Sequence, residues 1–207
     1  MSEVGTSLLD LLYPQRCIGC TRFGSWVCDV CRGRALDQGY DEKGAWLGRY
    51  SNPTLRSLVG QLKYNSATCL KSSLFDLFEI SKPHLSPWLE ARTIDSIVPI
   101  PGDAARIRER GIDHTQHIAQ VVHDAYFPLA TIVPALERTK ETLTNAQLPE
   151  DARLANVAGA FNCPSRIQGS VLLVDDVYTT GVTAQACTQA LLTAGASMVH
   201  VLSIARS

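Results

Sequence analysis

The sequence predicts an α/β protein: a mostly parallel β-sheet with helices on both faces, preceded by a small four-cysteine metal-binding module. Three observations predict it. Four of the seven cysteines fall within fifteen residues, at positions 17–31. From position 45 onward, apolar runs of strand length alternate with segments whose apolar residues recur at helical spacing. Near the end of the chain, a four-residue apolar strand runs into two carboxylates and a Thr/Gly loop that opens a helix.

The first element is the cysteine module. Cys17, Cys20, Cys28 and Cys31 read C-x2-C-x7-C-x2-C. Each C-x2-C places two thiolates on one side of a tight turn, and two such turns supply four sulfurs at tetrahedral positions around zinc. The spacing predicts two knuckles joined by a short hairpin that turns at Arg22-Phe23-Gly24-Ser25. Four sulfurs with no accompanying His or acid leave no open position for catalysis, so the predicted ion is structural zinc; redox-active C-x2-C pairs and an iron site are the competing readings. The segment is too small for its own core, and metal binding would supply much of its folding free energy. Cys69, Cys163 and Cys187 stand alone in apolar surroundings and read as small buried hydrophobes.

Beyond the module, residues 45–50 read as a short strand, and 55–64 and 69–80 as amphipathic helices. A Pro-rich break is predicted at 82–87. Residues 94–100 form a buried-type strand ending in Pro99-Ile100-Pro101, followed by a charged loop at 102–113 and a helix at 114–125. A strand at 131–136 precedes a polar stretch at 137–156, too long for a plain connector and so read as a functional or mobile loop. Strand 171–174, helix 183–194 and strand 198–205 complete the pattern. The division expected is a module over 1–44 and an α/β domain over 45–207, with ligands at the carboxyl ends of the parallel strands.

Charge and hydropathy exclude several classes. Nineteen Lys and Arg against twenty Asp and Glu leave a net charge of −1, so bulk charge draws in no polyanion. Apolar residues make up 45%, normal for a chain with a sizeable core. No apolar run approaches the roughly 20 residues of a membrane span. The start, MSEVGTSLLDLLYP, carries an acid where a signal peptide wants positive charge. The expectation is a cytoplasmic protein without a transmembrane segment.

The chemistry concentrates in Val171-Leu172-Leu173-Val174-Asp175-Asp176-Val177-Tyr178-Thr179-Thr180-Gly181-Val182-Thr183. A loop of this kind turns consecutive backbone N–H groups and small hydroxyls toward one point at the positive end of the following helix, which makes a phosphate cradle. Thr183 is the expected N-cap. Two carboxylates beside a phosphate suit a ligand with vicinal hydroxyls, and a phosphorylated ribose has that shape. Neighbouring side chains of a regular strand point to opposite faces, so Asp175 and Asp176 reach one ligand only if the strand has ended there. The plainer reading is an acidic turn before a capped helix. A Walker loop is excluded because no Gly-Lys-Ser/Thr is present, and the pattern is not G-x-G-x-x-G.

Residues 171–183 resemble the phosphoribosyl-pyrophosphate motif of type I phosphoribosyltransferases. Together with the four-Cys module, Leu62-Lys63-Tyr64, Val98-Pro99-Ile100-Pro101 followed by Arg110-Gly111, and Ser203-Ile204-Ala205-Arg206, they resemble the ComF family, which includes competence proteins and GntX-like DNA-utilisation proteins. The block with Arg138, Thr144, Leu148, Arg153, Asn156 and Ala160-Phe161 is similar to the family's central block. Two departures stand out: Arg110-Gly111-Ile112-Asp113-His114 where the family reads Arg-Gly-Phe-Asn-Gln, and Asn145 near the place of an expected glutamine.

The resemblance implies a type I phosphoribosyltransferase-like domain. Asp175 and Asp176 would hold the ribose hydroxyls. Thr179, Thr180, Gly181, Val182 and Thr183, with Val177 and Tyr178 in the same motif, would form the 5′-phosphate site. A Mg²⁺ would bridge ribose and pyrophosphate. Arg106 and Arg110, with Arg138 and Lys140 at the start of the long loop, would neutralise the leaving charge. Lys63 lies outside these loops and is read as less central. His114 is the one histidine near the site, while His84, His117, His123 and His200 read as ordinary surface or strand residues. The expected ligand is phosphoribosyl pyrophosphate or another ribose 5-phosphate compound, in the setting of DNA uptake or use. The alternative is a catalytically silent fold that senses a ligand or handles single-stranded DNA in company with DNA-uptake proteins. Arg16, Arg22, Arg32 and Arg34 near Phe23 and Trp26 supply the cations and aromatics for that role. The plainer reading there is a packed aromatic pair under a solvated surface.

Overall fold

The computed structural model describes residues 14–64, 67–139, 157 and 159–207. In chain order the elements are α1 (Asp29–Ala35), β1 (Gly39–Asp41), β2 (Gly44–Arg49), α2 (Pro53–Leu62), α3 (Ala67–Glu90), β3 (Ser96–Pro99), α4 (Ala104–Arg110), α5 (His114–Tyr126), β4 (Thr131–Ile132), β5 (Glu137–Arg138), β6 (Phe161–Asn162), β7 (Ser170–Tyr178), α6 (Val182–Thr193) and β8 (Met198–Arg206). Among the described residues, one sheet has the order β1-β2-β8-β7-β3-β4, and β5 pairs with β6 in a separate ribbon. All neighbours in the large sheet are parallel except β1 and β2, which form an antiparallel hairpin at one edge.

Alternation along the strands explains why both faces are covered. On β7, Leu172 and Val174 pack with α2, α3 and α5, while Val171 and Leu173 pack with α6. Parallel strands buried on both faces need continuous apolar runs, and Val171-Leu172-Leu173-Val174 supplies one. The cysteine module joins the first of these cores: Cys17, Val27, Cys31 and Ala35 are buried together with α2 and α3.

The chain leaves β3 through α4 and α5 toward β4 on one side, and leaves β7 through α6 toward β8 on the other. The strand order therefore reverses between two neighbours, β3 and β7. At such a switch point the loops diverge and leave a crevice at the carboxyl ends of the strands.

Several boundaries differ from those the sequence predicts. Helix α3 runs through the expected break, with Pro83 and Pro87 inside it. A helix-interior proline costs about 3 kcal/mol, but the turns beyond Pro83 bury Leu85 and Trp88 and so offset it. The Ser86 hydroxyl also donates to the Pro83 carbonyl at 3.1 Å. The charged loop 102–113 contains α4, capped by Asp103, whose carboxylate accepts from the Ala105 and Arg106 amides, and ended by Gly111 at φ 72°. The strand expected over 131–136 pairs with β3 only at Thr131 and Ile132. Cys187 is buried as expected, Cys163 is half-buried, and Cys69 is exposed, because its position on α3 faces away from the core.

Replacing a fully buried contact of α3 tests this packing. Leu74→Ala is expected to cost about 2–5 kcal/mol, read as a lower urea midpoint at unchanged slope. Leu129→Ala, at a side chain 99% exposed, should change stability by no more than about 0.5 kcal/mol.

Candidate functional site

The crevice between β3 and β7 holds the acidic pair. The strand does not end at Asp175: β7 stays paired with β8 through Asp175, Val177 and Tyr178, which lie opposite Ser203, Ala205 and Arg206. The two carboxylates accordingly face different neighbours. Asp176 is buried toward α2 and α5, where Lys63 Nζ donates to its Oδ2 at 2.6 Å and His114 Nε2 lies 2.9 Å from the same oxygen. Asp175 accepts from the Asp176 amide at 2.8 Å, and its charge acts on Arg138 and Cys187 on the α6 side.

These surroundings separate the two acids. Burial pushes Asp175 up to about 8, and the neighbouring charge of Asp176 adds to the rise. Burial would raise Asp176 as well, but the His114 hydrogen bond and the Lys63 charge outweigh it and hold this carboxyl well below the ordinary range. Lys63 and His114 carry more of the site than sequence reasoning gave them. The available signals were a lysine at the end of α2 and a histidine directly after Asp113, whose carboxylate caps α5 through the Thr115 amide.

The turn after β7 begins helix α6. Its N-cap is Gly181 at φ 80°, with no side-chain cap, and Thr183 lies inside the first turn rather than at the cap. The first amides of α6 thus lack a side-chain acceptor at the cap. The Thr180 hydroxyl is buried with no hydrogen-bond partner among the described residues. A Cβ at position 181 would collide with the Tyr178 hydroxyl, so the turn requires glycine for both its dihedral and its contact. Tyr178 packs beneath the turn, with Arg206 5.6 Å from its ring. Arg206 also lies 4.4 Å from the Trp46 ring, and its Nη1 donates to Asp41 at 2.6 Å, tying the edge hairpin to the turn. A hollow of about 360 Å³ opens beside it, lined by Lys43, Tyr178, Thr180, Gly181 and Thr188 among others.

Of the predicted cations, Arg106 and Arg110 lie on α4, and Arg110 stacks 5.0 Å from the Tyr64 ring. Arg138 lies on β5, 5.2 Å from the Phe161 ring, with its buried Nε unpartnered among the described residues. Burial lowers the Arg138 pKa and the acids Asp103 and Asp175 partly restore it. Lys140 lies outside the described residues, as do Thr144, Asn145, Leu148, Arg153 and Asn156. A larger cavity, about 530 Å³, lies between α6 and β6, with no charged side chain among the described residues that line it; neither acid of the pair is among them.

The second cluster is the cysteine module. One ligand atom from each of Cys17, Cys20, Cys28 and Cys31 lies within 4.8 Å of all the others, so the four can hold a metal ion. The Cys20 and Cys28 sulfurs are 3.6 Å apart, close to the roughly 3.8 Å that zinc–sulfur bonds of about 2.3 Å require in a tetrahedron. The first knuckle is closed by an Arg16–Phe23 bridge, and the Thr21 amide donates to the Cys17 carbonyl. The predicted hairpin between the knuckles is replaced by a bend into α1, whose N-cap is Cys28 and whose first turn carries Cys31. Burial works against a Cys17 thiolate, but amides of Cys28, Gly19 and Cys20 converge on it and bring it down to about 6. A Cβ at Gly19 would lie 2.6 Å from Thr54 Oγ1 and 2.9 Å from Cys31 Sγ, so the knuckle packs directly on α2.

No protein-family profile matches the chain. Comparison with characterised proteins gives the DNA utilization protein YhgH of Escherichia coli K12, 30% identical over 156 residues, which span 75% of this chain and 68% of that protein. This chain belongs to the ComF family. The YhgH protein of Salmonella typhimurium is likewise 30% identical, over 158 residues. Competence protein F of Haemophilus influenzae is 24% identical over 173 residues, 80% of this chain and 73% of that protein. For this ComF-family chain, no helix among the described residues is long and apolar enough to cross a membrane.

The raised Asp175 pKa gives a stability signature. Between about pH 4 and pH 8 the folded protein keeps a proton that the unfolded chain has lost, so this group's contribution falls as pH rises through that window. The melting temperature of Asp175→Asn relative to the parent should therefore climb from pH 5 to pH 8. A difference that stays flat across that range would mean Asp175 is ionised throughout.

Proposed function

We propose that this chain binds phosphoribosyl pyrophosphate, or a related ribose 5-phosphate compound, at the carboxyl ends of β3 and β7, and serves DNA uptake or the use of DNA. The observation that carries the reading is the β7–α6 turn, where a helix start without a side-chain cap and a Thr180 hydroxyl with no partner among the described residues follow two carboxylates within five positions of the chain. A phosphate completes the first and ribose hydroxyls engage the second. Val177, Tyr178, Thr179, Thr180, Gly181, Val182 and Thr183 form the phosphate side. Of the two acids proposed for the ribose hydroxyls, which face different sides of β7, Asp176 is held by Lys63 and His114 and Asp175 is the one left to accept from a hydroxyl. Arg106, Arg110, Arg138 and Lys140 are the cations for the pyrophosphate.

Asp175 and Asp176 face different sides of β7, so only one of them would hold a Mg²⁺, whose remaining oxygens would come from the ligand and water. Bound there, it would neutralise charge on the departing pyrophosphate. A second reading is a pocket that binds without turnover. It is favoured by Asp176 being already paired with Lys63 and His114. The names of the relatives, DNA utilization protein and competence protein, supply the biological setting and the DNA-uptake proteins as the partner class.

Residues 1–44 are proposed as a structural zinc module and 45–207 as the phosphoribosyltransferase-like domain, acting in the cytoplasm, where thiols stay reduced for metal. All four donors are sulfur, which suits zinc.

Calorimetric titration of Mg²⁺–phosphoribosyl pyrophosphate should show binding by the parent and none by Asp175→Asn/Asp176→Asn or Gly181→Ala. Absence of binding by the zinc-loaded parent would sink the reading, and pyrophosphate release with candidate acceptors separates turnover from silent binding. Elemental analysis should find one zinc per chain. Because Cys17 and Cys31 lie in the core beneath α2, stripping the metal should lower the melting temperature of the whole protein; an unchanged melt would make the ion dispensable.

A further inference from the structure

We propose that the hollow at the amino ends of β7 and β8, walled by Arg92, binds a phosphate-class oxyanion at a second site separate from the crevice. The hollow holds about 390 Å³ and is lined by Arg92, Thr93, Ser170, Ser197 and His200 among others, with no acidic side chain among the described residues that line it. Strand β7 begins at Ser170 and β8 at Met198. The hollow therefore lies at the opposite end of the sheet from the crevice, roughly 20 Å along β7 from Asp176 at about 3.3 Å per residue.

Arg92 is half-buried, and its guanidinium is clamped. It lies 4.4 Å from the Trp88 ring centroid, its Nη1 donates to the Trp88 carbonyl at 2.6 Å, and its Nε donates to His200 Nδ1 at 3.2 Å. Trp88 is 2% exposed, and the His200 ring meets it edge-on at 6.1 Å. None of these partners is an anion. Burial lowers the Arg92 pKa, and the side chain that counters this is the Tyr40 phenol rather than a carboxylate. Arg32, Arg49 and Arg206, by contrast, are each met by an aspartate.

A charge withdrawn from water is ordinarily paired. The carbonyl end of α3 supplies at most about half an elementary charge toward that pairing. A guanidinium offers five N–H donors in a fixed fork, and the contacts above engage two of them. Because His200 Nδ1 accepts, the ring carries its proton on Nε2 and is a further donor. The hydroxyls of Thr93, Ser170 and Ser197 add donors from three separate stretches of chain. Such a set suits an anion with oxygens in several directions, as phosphate has and a flat carboxylate has not. Asp95, the acid beside the hollow, lies outside its lining, and its Oδ2 accepts from the Ser170 amide. The competing account is a brace from the end of α3 to β8, with water as the only further partner of Arg92; it allows no saturable response to phosphate.

Nuclear magnetic resonance of the arginine Nε–H groups in the zinc-loaded protein separates the two, with the Arg92 signal assigned by its loss in Arg92→Gln. Inorganic phosphate, titrated at ionic strength held constant with chloride, should displace that signal saturably, and acetate should not. Gly181→Ala, altered in the crevice, should give the same displacement. Ser197→Ala, at an exposed position that leaves the clamp intact, should weaken phosphate about 2- to 10-fold. Ser197→Glu brings a carboxylate of its own, so it should raise the melting temperature and abolish the phosphate response. Glycerol 3-phosphate binding more tightly than inorganic phosphate would make the occupant a phosphomonoester, and the reverse order would make it the free ion; either order supports the site. An Arg92 signal that stays in place, moves without saturating, moves equally with acetate, or responds undiminished in Ser197→Glu would overturn it.

Discussion

The buried carboxylate of Asp176 is the interaction on which the rest of the site depends. A charge taken out of water is tolerated only when paired and hydrogen-bonded. Here the partners come from two distant places, Lys63 at the end of α2 and His114 at the start of α5, and meet on one oxygen at the end of β7. That convergence ties the end of one helix and the start of the other to the same strand. It also sets Asp175 apart, because one neutralised and one desolvated acid on adjacent residues have different proton affinities.

The sheet explains why this occurs between β3 and β7. Their connections depart to opposite sides, so the loops that begin α4 and α6 both start from the carboxyl ends of these two strands. Glycine and small hydroxyls then let the α6 turn close tightly on Tyr178, while Arg206 braces that ring from the edge hairpin. The four-cysteine module stands against α2, the helix that ends in Lys63. Order in the four-cysteine cluster and order in the acidic pair therefore meet in one helix.

The chemistry legible in the sequence was local. The C-x2-C spacing announced a four-sulfur cluster, and the run 171–183 announced a strand, a tight turn and a helix start, because both depend on residues only a few positions apart. The prolines of α3 misled, since their local cost was set against burial of Leu85 and Trp88 that no local pattern displays. The charged loop 102–113 hid a helix whose cap residues, Asp103 and Gly111, were in plain view but whose exposed surface lacks an apolar stripe.

The sequence by itself thus determined the α/β class, the four-cysteine cluster, the position of the strand-to-helix turn that opens α6 and membership of a family. Only the tertiary structure decided which acid carries the partners, that β7 stays paired beyond the acidic pair, and that Tyr64 lies exposed beside Arg110. Those features join residues 28 to 113 positions apart in the chain, from Asp175 opposite Ser203 to Lys63 against Asp176. Periodicity and motif spacing report only what neighbours along the backbone do, whereas a buried charge finds its partners across the fold, where packing rather than sequence distance sets what meets.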